Sequence, residues 1–233
     1  MSDRNAAVLV WRQEYRYSQL MATKKPVRGD VPALLVDFGG VLTASVLEAF
    51  VNACVAVGVV DPHGFAAECF SSDSGTPFAL LELGQIGAAE FADLITPLLS
   101  KQAATPVDGR DWLELVRKTT WDVEQTMVAA VDRLIARGVP TALVSNSWGP
   151  AADYPWELLP KFNEVLVSSE VGIRKPDPQI YLLAAERLGR GPAECLFVDD
   201  VEVNLAPARE LGMHTILHRC AVDTIGEFAR VYG

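Results

Sequence analysis

Along this chain the spacing of apolar residues changes from segment to segment, and each change marks the start of a new element. Leu34-Leu35-Val36 is apolar without interruption and runs into Asp37-Phe38-Gly39-Gly40-Val41-Leu42-Thr43, so a carboxylate stands where the run meets two glycines. Continuous rather than alternating apolar residues read as a central parallel strand covered on both faces. From Val46 the period becomes helical, with Val46, Leu47, Phe50, Val51 and Cys54 on one face and Gly58 near the stop. Gly, Ser, Asp and Pro cluster over residues 71–77 and predict a loop. Residues 78–83, 88–99 and 111–118 then read as short helices with no strand signal between them, so 46–120 is predicted to be an all-helical insertion.

From Trp121 strand and helix patterns alternate, which predicts an α/β fold with a doubly wound parallel sheet. Val128, Val131, Leu134 and Ile135 make a helix face ending at Gly138. Strands are expected over 141–144, 164–167, 195–198 and 215–217, with helices over 180–188 and up to Leu211-Gly212. The core strands end in chemically useful groups: Asp37, then Ser145-Asn146, then Lys175 after the third strand, then Asp199-Asp200. Parallel strands bring such ends to one sheet edge, where open α/β sheets bind ligands. There Asp37 suits a nucleophile, Ser145 a hydroxyl donor, Lys175 a cation and Asp199-Asp200 a hard oxygen site, while Gly39 and Gly40 let backbone approach an anion. Each also has a plainer reading, as turn formers, a surface lysine or a helix cap.

Half of the 233 residues are hydrophobic, enough for a sizeable core. A formal charge of −10 argues against nucleic acid or an anionic membrane as partner, so a phosphorylated ligand needs local positive groups. Cys54, Cys69, Cys195 and Cys220 are scattered without a CxxC spacing, which fits neither zinc nor a disulfide framework and suits a reducing cytoplasm. Residues 1–30 are polar and aromatic, lack the apolar stretch of a signal peptide, and read as an arm or tail. Trp148, Tyr154 and Trp156 are expected to serve packing more than the pocket, and His63, His214 and His218 to be structural.

The motifs Asp37-Phe38-Gly39-Gly40-Val41-Leu42, Val144-Ser145-Asn146, Gly172-Ile173-Arg174-Lys175-Pro176-Asp177-Pro178 and Phe197-Val198-Asp199-Asp200 with Asn204 resemble, in order, the four motifs of the haloacid dehalogenase superfamily. The helical insertion resembles its C1 cap, and Glu82-Leu83-Gly84-Gln85-Ile86 resembles a cap segment of the epoxide-hydrolase-phosphatase-like and sugar-1-phosphatase-like branch. The resemblance implies a Rossmann-like core over 31–45 and 121–233 and a cap over 46–120. It implies a magnesium-dependent phosphatase of a small phosphorylated metabolite, a sugar 1-phosphate included. In it Asp37 is the nucleophile that becomes an aspartyl phosphate, with Ser145 and Lys175 assisting catalysis. Gly39, Gly40 and Asn146 would border the substrate. Mg²⁺ would be held by Asp37, the Gly39 carbonyl and Asp200, with Asp199 behind them.

One position departs from that pattern. The phosphatase signature carries a second aspartate two residues after the nucleophile, where this chain has Gly39. General acid and base help worth roughly 10² to 10⁴-fold is then missing. Three expectations follow: a phosphatase whose leaving group needs little protonation, a 2-haloacid dehalogenase, or a catalytically silent fold that binds a phospholigand or a protein.

Overall fold

The computed structural model describes residues 31–70, 75–120, 122–149 and 151–233. The expected N-terminal arm, the first four residues of the 71–77 loop and Trp121 lie outside the described residues. Five parallel strands form one sheet: β1 (Ala33–Val36), β2 (Thr141–Ser145), β3 (Glu164–Val167), β4 (Cys195–Asp199) and β5 (His214–Leu217), in the order β3-β2-β1-β4-β5. Val36 pairs with Leu143 on one side and Val198 on the other, so the ends of the three central strands are level.

The continuous apolar runs exist because both faces of the sheet are covered. Leu34, Val36, Leu143, Leu196 and Val198 face α6 (Gln125–Ala136) and α10 (Ala221–Tyr232). The alternate residues Ala33, Leu35, Ala142, Val144 and Phe197 face α8 (Pro178–Arg187) and α9 (Glu202–Glu210). β1, β2 and β4 are buried along their whole length, whereas the edge strands β3 and β5 are half exposed. A one-turn helix, α7 (Ser168–Val171), follows β3.

Between β1 and α6 the described residues form five helices: α1 (Val46–Ala56), α2 (Pro62–Cys69), α3 (Pro77–Glu82), α4 (Ala88–Gln102) and α5 (Gly109–Thr120). They share a core of their own around Phe50, which meets Trp112 edge-on at 5.0 Å between ring centroids and Phe78 at 5.5 Å. Truncating a buried Phe of this kind costs about 3–5 kcal/mol, so this layer is a packed body and not a loose excursion. Three of these helices begin on side-chain caps: Ser45 accepts from the Glu48 amide, Asp61 from Gly64 and Thr76 from Ala79.

Besides the one-turn α7, two longer helices go beyond the sequence expectations. α2 opens on Pro62-His63-Gly64, which blurs a helical pattern, yet the Asp61 cap and Pro62 at the first position start it. α10 carries Ile225, Phe228 and Tyr232 at helical spacing after the last strand, and it covers one sheet face. Among the described residues no helix is long and apolar enough to cross a membrane.

Candidate active site

The chain leaves β1 on one side to build β2 and β3 and returns on the other to build β4 and β5. That reversal opens a crevice beside the carboxyl end of β1. Asp37 stands there, its amide donating to the Val198 carbonyl at 2.9 Å. Its Oδ1 accepts from the Phe38 amide at 2.7 Å and pairs with Lys175 Nζ at 2.6 Å. The same ammonium reaches Asp199 Oδ2 at 2.7 Å, so one buried cation bridges two buried carboxylates.

Burial alone works against the Lys175 ammonium, but the charges of Asp199 and Asp37 outweigh it and hold its pKa above the ordinary lysine value. Asp37 is pushed well above the usual carboxylate range by burial, with Asp199 and Asp200 adding to the rise and Lys175 opposing it. Asp200, half-buried, is raised to about 6, first by burial and then by Asp199. Lys175 is thus one cation set against three carboxylates, and burial raises both Asp37 and Asp200 in spite of it.

The donor set fits a hard divalent cation. One oxygen from each of Asp37, Asp199 and Asp200 lies within 4.8 Å of the others. Asp199 is already engaged through both oxygens, by Lys175, by the Val201 amide at 2.8 Å and by the Asn204 side-chain amide at 3.0 and 3.1 Å. Asp37 and Asp200 are the pair left with ligand capacity, and all-oxygen donors suit magnesium. Gly40 makes room for Asp200: its φ is +77°, and a Cβ there would lie 2.0 Å from Asp200 Oδ2.

The other site residues identified from sequence converge on the same edge, with different partners. Asn146 clamps the Lys175 backbone, accepting from its amide at 2.8 Å and donating to its carbonyl at 3.0 Å. Ser145 is buried at the end of β2, its hydroxyl 2.8 Å from that of Tyr154. Burial of Tyr154 raises its pKa, which keeps the phenol protonated.

A family model of haloacid dehalogenase-like hydrolases matches residues 31–212. The chain belongs to this family. Bifunctional epoxide hydrolase 2 of Sus scrofa is 37% identical over 118 residues, covering 48% of this chain and 21% of that protein. Hexitol phosphatase A of Escherichia coli is 30% identical over 99 residues, covering 42% of this chain and 46% of that one. These alignments therefore span between a fifth and a half of the relatives' own lengths. Among solved structures, a haloacid dehalogenase family enzyme of Bacteroides thetaiotaomicron, in complex with magnesium and inorganic phosphate, shares the fold. Its TM-score is 0.59 at 23% identity, over 81% of this chain and 94% of that one.

Within this haloacid dehalogenase-like hydrolase, three features of the cleft were outside the site read from sequence. Glu82, at the end of α3, is buried and its Oε2 accepts from Arg174 Nη1 at 2.7 Å and from Asn146 Nδ2 at 3.3 Å. Its carbonyl accepts from the Ser168 hydroxyl at 2.5 Å, so a residue of the helical layer is tied to the loops after β2 and β3. Burial raises the Glu82 pKa, with Arg174 the main opposing influence. Val46 packs on Gly39: a Cβ at position 39 would meet its Cγ2 at 2.7 Å. Trp148 departs from the packing expectation in part, since it rests on Phe78 and also lines the cleft, while Tyr154 and Trp156 stack at 5.1 Å in the core as expected. The Glu82-to-Gly84 segment was visible as a motif; its bonds to Arg174 and Asn146, 92 and 64 residues away, carry no local signal.

Proposed function

We propose that this hydrolase is a magnesium-dependent phosphatase of small phosphorylated metabolites, acting through an aspartyl phosphate on Asp37. The observation that carries the reading is the meeting of Asp37, Asp199 and Asp200 around one lysine at the sheet's switch point. Asp37 Oδ1 is held by Lys175 and the Phe38 amide, so in this reading Oδ2 makes the attack. That oxygen forms a bond to phosphorus as the ester P–O bond breaks, and the electron pair leaves with the substrate oxygen as an anion, which takes up a proton from solvent only after departure. Water then attacks phosphorus, freeing inorganic phosphate and restoring the Asp37 carboxylate.

Asp37, Asp200 and the Gly39 carbonyl would hold the ion, with Asp199 fixing Lys175 behind them. Bound magnesium supplies positive charge and orientation for the phosphate oxygens. Lys175 neutralises charge on the transferring group, and the Ser145 hydroxyl, 2.8 Å from that of Tyr154, would donate to a phosphate oxygen while accepting from the phenol. Asn146 keeps Lys175 in place through both backbone bonds. The helical layer of residues 46–120 acts as a cap that excludes water, fastened by Glu82.

A dehalogenase displaces halide at carbon and needs no metal, which leaves Asp200 and its place over Gly40 without a purpose. The test is release of phosphate from p-nitrophenyl phosphate with and without magnesium, beside halide release from 2-chloropropionate. Magnesium-dependent phosphate release supports the phosphatase; metal-independent halide release would replace it with the dehalogenase.

A further inference from the structure

The cleft, about 310 Å³ in volume, joins the Asp37 site to a wall of quite different character. Where an acid would stand beside the leaving oxygen, Val46 presses a methyl group against Gly39. Leu47 follows it and is 45% exposed; across the opening, Val203 is 55% exposed. Phe70 and Trp148 line the same space, their rings stacked with centroids 5.8 Å apart, and Phe50 and Phe78 brace them from behind. Among the described residues, the ionisable groups on this side are Glu82 and Arg174, which neutralise each other at 2.7 Å.

A polyol leaving group would exchange its water contacts for hydrocarbon here, and each hydroxyl buried without a partner costs about 1–3 kcal/mol. An apolar ring would cover Leu47 and Val203, side chains that are otherwise exposed to water at the mouth of a catalytic cleft. Resting on the phosphatase reading above, we infer that the wall of Val46, Leu47, Phe70, Trp148 and Val203 is a leaving-group subsite for a flat, apolar body, so that the substrate is the phosphomonoester of an aromatic or enolic hydroxyl. The missing acid agrees with this independently, since such oxygens depart as stabilised anions.

The experiment separates binding from bond cleavage. With magnesium present, turnover of acetyl phosphate reports the phosphatase, and inhibition of it by methylphosphonate and benzylphosphonate reports the subsite. Benzylphosphonate is expected to bind at least tenfold more tightly than methylphosphonate. That ratio should contract several-fold in Trp148→Ala and, at the exposed mouth where folding is not at stake, in Val203→Ser. Turnover of acetyl phosphate with equal inhibition by the two phosphonates, or an undiminished ratio in both variants, overturns the subsite and leaves the phosphatase standing. Absence of magnesium-dependent turnover and of phosphonate binding overturns both.

Discussion

Restoring an acid at position 39 tests the geometry around the nucleophile, and the obstacle is a single side chain. A Cβ at 39 would sit 2.7 Å from Val46 Cγ2, whereas carbon atoms rest at about 3.5–4.0 Å. Val46 or the first turn of α1 must therefore move by about 1 Å, and overpacking of this kind costs about 1–3 kcal/mol. Gly39→Asp alone is expected to lose that amount in urea unfolding. Val46→Ala alone gives up two methyl groups of a half-buried side chain, about 1 kcal/mol. Gly39→Asp/Val46→Ala should be no less stable than Val46→Ala by more than a few tenths of a kcal/mol, giving a favourable coupling of about 1–2 kcal/mol. The catalytic consequence is read in a series of substituted phenyl phosphates. Wild type should show a steep dependence on leaving-group acidity and the double variant a shallow one, with a gain of about 10²-fold or more for poor leaving groups. Additive destabilisation would refute the Val46 contact, and parallel slopes would show that water or another side chain already delivers the proton.

Chelation by EDTA should abolish phosphate release and added magnesium restore it, with Asp200→Asn raising the magnesium needed for half-maximal rate by at least tenfold. Glu82→Ala removes the carboxylate that Arg174 and Asn146 share, so unfolding free energy should fall by about 3 kcal/mol, and Glu82→Gln, which keeps an acceptor for both, by less; equal, negligible losses would deny the link between helical layer and core. His218 is buried with Nδ1 2.8 Å from the Thr224 hydroxyl, and burial lowers its pKa below 6.5. The folded chain then binds fewer protons than the unfolded one below pH 6.5, so the His218 contribution is complete above 6.5 and is lost as pH falls through that value towards the folded pKa. Urea unfolding of wild type and His218→Asn from pH 7.5 to 5 should show the wild-type advantage shrinking on the acid side; a constant difference would contradict the buried neutral ring.

Much of this was legible because strand ends are local features. Asp37, Ser145 and Asp199 each close an apolar run, and a parallel sheet leaves such residues little choice but to meet at one edge. The helices between Val46 and Thr120 were legible because Phe50, Phe78, Phe91 and Trp112 lie on apolar helical faces that pack together. What stayed hidden depends on distances between segments. Val46 appeared as one more residue of a helix face, and only the turn of the chain after Thr43 brings it onto Gly39. Asn146 read as a turn former or substrate contact, and what the sequence did not show is that both ends of its amide reach the Lys175 backbone, 29 residues later. Trp148 combines a packed edge with a cleft face, a division that hydrophobicity does not encode.

The central claim is that a phosphoryl group resides on Asp37 during turnover. The direct measurement is acid quench of the enzyme turning over acetyl phosphate with magnesium, reduction with borohydride and mass spectrometry of the peptide containing residue 37. An aspartyl phosphate is reduced to homoserine, so the account predicts homoserine at position 37, absent when substrate or magnesium is withheld. Unmodified Asp37 in every sample, together with undiminished phosphate release by Asp37→Asn, would contradict it.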